Sequence, residues 1–213
     1  MSEKLSKVIE PQVIFESTLL DERKKVGILG GTFNPPHLGH LIIADQVKNQ
    51  LGLEKILFLP SAEPPHAQGK KTIDAKHRVK MVEQAIAERP DFEIELSEIQ
   101  RGGKSYTYDT IRRLTEENPE IDYYFIIGAD MVENLPTWYK VEELINLIQF
   151  VAVNRPSYSV ETDYPLIFID VPNIEISSSL VRQKLMDHCS VNYLIPDSVI
   201  QYIEKEGLYD IET

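Results

Sequence analysis

Val26-Gly27-Ile28-Leu29-Gly30-Gly31-Thr32-Phe33-Asn34-Pro35-Pro36-His37-Leu38-Gly39-His40 is the stretch on which the reading of this chain turns. Its apolar run 26–29 has the length and composition of a short buried strand, and it leads directly into two glycines. Without Cβ atoms, adjacent glycines let another group approach the backbone closely, and their amides can face an anion. Residues 41–51 then carry the apolar spacing of a helix stopped by Gly52, so the helix starts around Gly39-His40. A helix start presents unpaired N–H groups and the positive end of a dipole, here towards the mouth at the strand's end. His37 and His40 lie three apart across that start, so both rings reach one side. Imidazoles beside such amides suit phosphate oxygens. Zinc ligation is the weaker alternative, because no cysteine or third histidine lies nearby and carboxylate ligands would have to come from afar. A purely structural turn is the other. The glycine spacing matches neither the G-x-G-x-x-G dinucleotide fingerprint nor a P-loop.

Outward from this segment, strands and helices alternate. Further strands are predicted over 55–60, 92–96, 121–127, 150–153 and 166–169. Helices are predicted over 75–88, 108–117, 141–147, 178–187 and 197–206, the last stopped by Gly207. Such alternation requires crossovers, hence an α/β fold: a doubly wound, Rossmann-like parallel sheet with helices on both faces. Ligands of such folds sit at the carboxyl ends of the strands. Residues 1–24 stand apart, highly charged and without a signal-peptide apolar core. They read as an N-terminal extension, poorly ordered or partner-binding, and residues 25–213 as one domain.

Composition narrows the function classes. Of 213 residues, 42% are hydrophobic and 26% charged, an ordinary globular balance that can bury a sizeable core. The net charge of −12 disfavours nonspecific attraction to nucleic acid or to anionic membrane. No apolar run approaches the ~20 residues of a membrane-spanning helix. The one cysteine, Cys189, allows no intrachain disulfide; it reads as a buried or half-buried thiol and points to a reducing, cytoplasmic setting. A homo-oligomer is compatible with the sequence, with the extension as its candidate contact.

A second anion site is written in Ile176-Ser177-Ser178-Ser179-Leu180-Val181-Arg182, where hydroxyls open a late helix and an arginine fork follows one turn later. Its competing reading is an ordinary capped helix. Taken with the first motif, and with Pro64-Pro65-His66, His77-Arg78, Ser105-Tyr106-Thr107-Tyr108-Asp109-Thr110, Gly128-Ala129-Asp130, Trp138-Tyr139 and Arg155-Pro156, the chain resembles the HxGH nucleotidyltransferases. Within them it is most similar to the bacterial nicotinate mononucleotide adenylyltransferases, from about Lys25 to the C-terminus.

The resemblance implies transfer of the adenylyl group of ATP to nicotinate mononucleotide with release of pyrophosphate, Mg²⁺ arriving on the ATP phosphates rather than on a protein metal site. It places His37, His40 and Arg182 at the reacting phosphates, and Gly30, Gly31, Thr32, Phe33, Gly39, Ser178, Ser179 and Arg155 around ATP. It places Thr107, Asp130, Trp138 and Tyr139 at the mononucleotide, with indole against the pyridine ring. His66 and Arg78 are further phosphate-side or adenine-side candidates, and Ala67 stands where the family often has lysine. The remaining alternatives are an adenylyltransferase for nicotinamide mononucleotide or for phosphopantetheine, and a nucleotide-binding sensor without turnover.

Overall fold

The computed structural model describes residues 23–63, 72–154 and 162–209, apart from the side chains of Asp130 and Asn154. Six strands form one parallel sheet: β1 (Lys24–Gly31), β2 (Lys55–Pro60), β3 (Phe92–Ile94), β4 (Ile121–Gly128), β5 (Gln149–Asn154) and β6 (Leu166–Asp170). Their spatial order is β3-β2-β1-β4-β5-β6, all pairs parallel. The order reverses between β1 and β4, and at such a switch point the two flanking crossovers leave the sheet on opposite faces and open a crevice. The register sets Gly30 beside Leu59 and Leu29 beside Ile126, so the glycine pair sits at the crevice's floor.

Alternation along the strands builds two cores. Val26, Ile28, Leu57, Leu59, Phe125, Ile127 and Phe150 point to one face. There they meet Ile111 and Leu114 of α4 (Thr107–Glu117) and Leu144 of α6 (Val141–Leu144). Leu29, Ile56, Phe58, Ile126 and Val151 point to the other, against Ala44 and Val47 of α1 (Leu38–Leu51) and Val82 and Ile86 of α2 (Ala75–Ile86). The central strands β1, β2, β4 and β5 contribute to both cores, which is why they read as apolar runs rather than alternating ones. A third cluster packs Val181 of α7 (Ser178–Met186) and Val199 and Ile203 of α8 (Asp197–Glu206) onto Met81 of α2. That packing brings the C-terminal helices to the mouth of β1.

The expected elements are present within a few residues, and three short ones were not expected. α3 (Ser97–Arg101), α5 (Ala129–Val132) and a 3₁₀ turn (Leu135–Thr137) are too short to show a period in sequence. The expected helix over 141–147 is regular only to Leu144. Cys189 departs from its expected burial: it is exposed, in a turn after α7 where His188 takes φ 51 and carries the chain out into solvent. Among the described residues no helix is long and apolar enough to cross a membrane. The extension, apart from its last two residues, lies outside the described residues, as do His66, Ala67 and Arg155.

Candidate active site

Burial is interrupted where the motif begins: positions 26–29 are buried, Gly30, Gly31 and Thr32 are part-exposed at the crevice, and positions 33–37 are buried again. Steric reasons for the glycines are explicit. A Cβ on Gly30 would lie 3.0 Å from the Phe125 ring, and one on Gly31 would lie 3.1 Å from the Phe33 ring. Phe33 takes φ 50 and is 1% exposed, its ring beneath the loop against Phe58. Its side chain is thus a floor for the loop, so a place around ATP falls to its backbone.

His37 is the residue before α1, with φ −133 and ψ 167. Its backbone N–H donates to His40 Nδ1 at 3.1 Å, while the His40 N–H donates to the His37 carbonyl at 2.9 Å. This reciprocal pair stacks the two imidazoles at a centroid distance of 3.7 Å and an interplanar angle of 30°. Of the two residues between them, Gly39 leaves room for this stack: a Cβ there would lie 2.9 Å from His37 Nδ1, so the ring would have to shift. Burial lowers the pKa of His37 to about 4. His40 is held well below its ordinary value by burial and then by repulsion from His37. Both rings are therefore neutral at pH 7 in the free protein. Not every amide at the helix start is open to a ligand, since Leu38 N–H donates to the Leu194 carbonyl at 2.9 Å.

The three serines before Arg182 have separate tasks. Ser177 caps α7, its hydroxyl accepting from Leu180 N–H at 3.1 Å. Ser178 donates to the Pro35 carbonyl at 2.8 Å. Ser179 accepts from Arg182 Nη2 at 3.1 Å, and Arg182 Nη1 donates to the Asn34 carbonyl at 2.7 Å. The structure therefore brings Arg182, Ser178 and Ser179 to the same loop as His37 and His40, with Arg182 bonded to the Asn34 carbonyl and the Ser179 hydroxyl.

Three further residues, Arg78, Asn34 and Tyr209, meet at this loop. Arg78 was expected to face phosphate or adenine, but it is 1% exposed and bonds two carbonyls, Thr32 at 2.8 Å and Ala62 at 3.2 Å. It is a buried post between the ends of β1 and β2. The signal was there: Arg78, Met81 and Val82 follow helical spacing, so Arg78 occupies a core position of α2. Asn34, 4% exposed, accepts at Oδ1 from the Tyr209 hydroxyl at 2.7 Å. Nothing in the local sequence links those two.

The opposite wall follows β2 and β4. Segment 103–105 closes over the end of β2, where Ser105 N–H donates to the Glu63 carbonyl and Ser105 Oγ accepts from Ala62 N–H. Beneath it Glu98 is buried, accepting from the Thr110 hydroxyl at 3.2 Å. Burial raises its pKa, partly offset by bonds from Ser105 and Thr110 and by Arg101. Thr107 opens α4 immediately beyond. The Trp138 ring is half-buried, edge-on to Phe125 and Phe150 at 5.9 and 6.0 Å. Tyr139 is 47% exposed, 4.8 Å from the Tyr106 ring, with the Lys140 ammonium over Tyr108. Phe125 joins the two walls: it touches the space above Gly30 on one side and Trp138 on the other. Asp130 is placed by its backbone in α5, at the end of β4, and its side chain lies outside the described residues.

A parallel sheet with its switch point at β1/β4, stacked imidazoles at the helix start and an arginine on the same loop define a nucleotide-binding α/β protein of the nucleotidyltransferase class. The sequence model of the cytidylyltransferase-like family matches residues 28–184. A "Probable nicotinate-nucleotide adenylyltransferase" of Enterococcus faecalis is 55% identical over 190 residues, covering 89% of this chain and 87% of its own. The protein of that name from Streptococcus pneumoniae is 56% identical over 188 residues, covering 88% and 90%. The Plasmodium falciparum nicotinic acid mononucleotide adenylyltransferase complexed with NaAD shares the fold, with TM-score 0.72 at 24% identity over 87% of this chain and 97% of that one. The chain belongs to the cytidylyltransferase-like family and, within it, to the nicotinate-nucleotide adenylyltransferases.

Proposed function

We propose that the chain transfers the adenylyl group of ATP to nicotinate mononucleotide, giving nicotinate adenine dinucleotide and pyrophosphate in NAD biosynthesis. The observation that carries this reading is the stacked His37–His40 pair at the start of α1, facing the same loop as Arg182. It is a preorganised donor set for phosphate oxygens, in a family whose named relatives are nicotinate-nucleotide adenylyltransferases.

In the reaction a phosphate oxygen of the mononucleotide forms a bond to the α-phosphorus of ATP, and the bond to the bridging oxygen of pyrophosphate breaks. The acceptor is already an anion, so no side chain has to become a nucleophile; the protein aligns the two phosphates and neutralises charge. His37 and His40 are neutral donors in the free protein, and the arriving triphosphate favours their protonation, which places positive charge at the leaving phosphates only when they are bound. Gly30, Gly31, Thr32 and Gly39 bound the phosphate path through their backbone, and Arg182, Ser178 and Ser179 close it from α7. Arg155 is assigned to the same side on sequence alone. Thr107, Asp130, Trp138 and Tyr139 bound the mononucleotide, where backbone N–H donors accept a carboxylate and reject an amide's NH₂.

Adenylyl transfer from ATP implies a divalent ion, which when bound to the phosphates lowers their negative charge. Among the described residues no three His, Cys, Asp or Glu side chains converge on a metal position. The imidazole and guanidinium groups here suit an ion held mainly by phosphates and water, for which Mg²⁺ is the assigned species.

Pyrophosphate release with Mg-ATP tests the reading, with nicotinate mononucleotide, nicotinamide mononucleotide and phosphopantetheine as parallel acceptors. The expected result is a kcat/KM strongly favouring nicotinate mononucleotide. Preference for the amide would discard the carboxylate pocket, and ATP binding without turnover of any acceptor would make the chain a sensor.

A further inference from the structure

We propose that Tyr209 is a positioning residue of this reaction: through Asn34 it holds the phosphate loop at the height that presents His37 and His40 to the phosphates. The inference rests on the adenylyl-transfer reading.

Loop 32–37 is short, contains two prolines, and joins a buried strand to α1, so its position depends on what its polar groups bond. Its tethers come from four places. Arg78 on α2 bonds the Thr32 carbonyl, and Ser178 and Arg182 on α7 bond the carbonyls of Pro35 and Asn34. The loop between α7 and α8 supplies the Leu194 carbonyl for Leu38 N–H, and Tyr209, beyond α8, bonds Asn34 Oδ1 at 2.7 Å. Asn34 is held twice by side chains from the C-terminal part of the chain, at its carbonyl by Arg182 and at its side chain by Tyr209.

These two holds differ in what a ligand does to them. Arg182 is a charged fork facing the phosphate path, so an incoming triphosphate competes with the Asn34 carbonyl for its donors. Tyr209 offers a single neutral hydroxyl to an amide oxygen, a bond with which phosphate does not compete. Burial raises the Tyr209 pKa above the ordinary phenol value, against the opposing pull of Arg182 and Arg78, so the hydroxyl stays a donor across the working pH range. When Arg182 turns to the phosphates, Tyr209 is the side-chain hold that remains on Asn34.

The backbone bears out the demand on this contact. Tyr209 takes φ 66 and Phe33, next to Asn34, takes φ 50; both are left-handed conformations that bulky residues disfavour. Strained residues flank both sides of one hydrogen bond. The helix before Tyr209 ends at Gly207 with φ 59, which turns the chain back toward the loop.

The test uses the full chain with Tyr209→Phe, which removes one hydroxyl and keeps the ring. With Mg-ATP and nicotinate mononucleotide, kcat should fall about three- to tenfold while both KM values stay within about twofold, as expected for one lost neutral hydrogen bond acting on alignment. Amide hydrogen exchange at Thr32, Phe33, Asn34 and His37 should accelerate. Tyr202→Phe, on the preceding turns of α8, loses only its bond to His77 and should keep full kcat. Asn34→Ala deletes the same bond from the other side, so the Tyr209→Phe/Asn34→Ala double variant should be no slower than Asn34→Ala alone. Unchanged kcat in folded Tyr209→Phe, or additive losses in the double variant, would overturn the proposal. A wild-type chain without turnover would instead remove the adenylyl-transfer reading, while the exchange comparison would still report whether Tyr209 holds the loop.

Discussion

The two walls of the crevice are built on different principles. The phosphate side is a backbone loop pinned by bonds from residues far along the chain: Ser178 to Pro35 spans 143 positions and Tyr209 to Asn34 spans 175. The wall proposed for the pyridine ring is made of short local turns, where Trp138 N–H donates to the Leu135 carbonyl and Thr137 N–H to that of Asn134, only three residues back. Side chains line it, among them exposed Tyr139 and the half-buried indole of Trp138. A reacting triphosphate requires fixed donors, because misplacement of about 1 Å costs about 10²-fold in rate. Ring selection needs only apolar area and one edge of donors, which local turns can present. The difference suggests that damage to the first wall appears in kcat and damage to the second in KM.

His40→Ala gives the largest expected effect: a loss of about 10³-fold in kcat with the fold intact by circular dichroism, since a preorganised donor is removed from developing charge. Nearly normal turnover would sink the assignment of the phosphate wall. Acid should destabilise this wall through the same rings. In the unfolded chain His37 takes up a proton near 6.5, in the folded chain only near about 4. Between those values the unfolded state binds more protons, so stability falls as pH drops across the window. The limit for His37 is about 3 kcal/mol. Denaturant melts at pH 7 and pH 4.5 check this, and His37→Asn should flatten the slope.

Gly39→Ala separates the walls further. Alanine favours the helix, yet its Cβ meets His37 Nδ1, so kcat should fall about 10²-fold without loss of melting temperature. Full activity would mean that the imidazole stack has no catalytic weight. Trp138→Ala acts on the other wall: the mononucleotide KM should rise about tenfold with the ATP KM unmoved. It also removes packing on Phe125 and Phe150, costing about 3 kcal/mol of stability. An effect confined to ATP would erase the distinction between the walls.

Legibility in sequence followed the length scale of each feature. α8 has the bounds that its apolar spacing and terminal Gly207 predict, and the strands are apolar because both sheet faces are covered. α1 starts at Leu38, earlier than its apolar pattern, because the cap is made by backbone and imidazole rather than by a serine or aspartate. α3 and α5 had no period to show. At the site, residue type was easier to read than partner. Arg182 was visible as a cation, but not its bond to the Asn34 carbonyl. Phe33 was visible as part of the motif, but not as the floor beneath it.

By itself, then, the sequence determined the alternating elements, the glycines at the end of β1 and the His37–Gly39–His40 spacing, because periodicity and local sterics act over a few residues. Only the tertiary structure decided which distant groups hold that loop. Ser178, Arg182 and Tyr209 reach it because α7 and α8 pack on Met81 of α2, and a hydrogen bond made across more than a hundred residues exists only once that packing has formed.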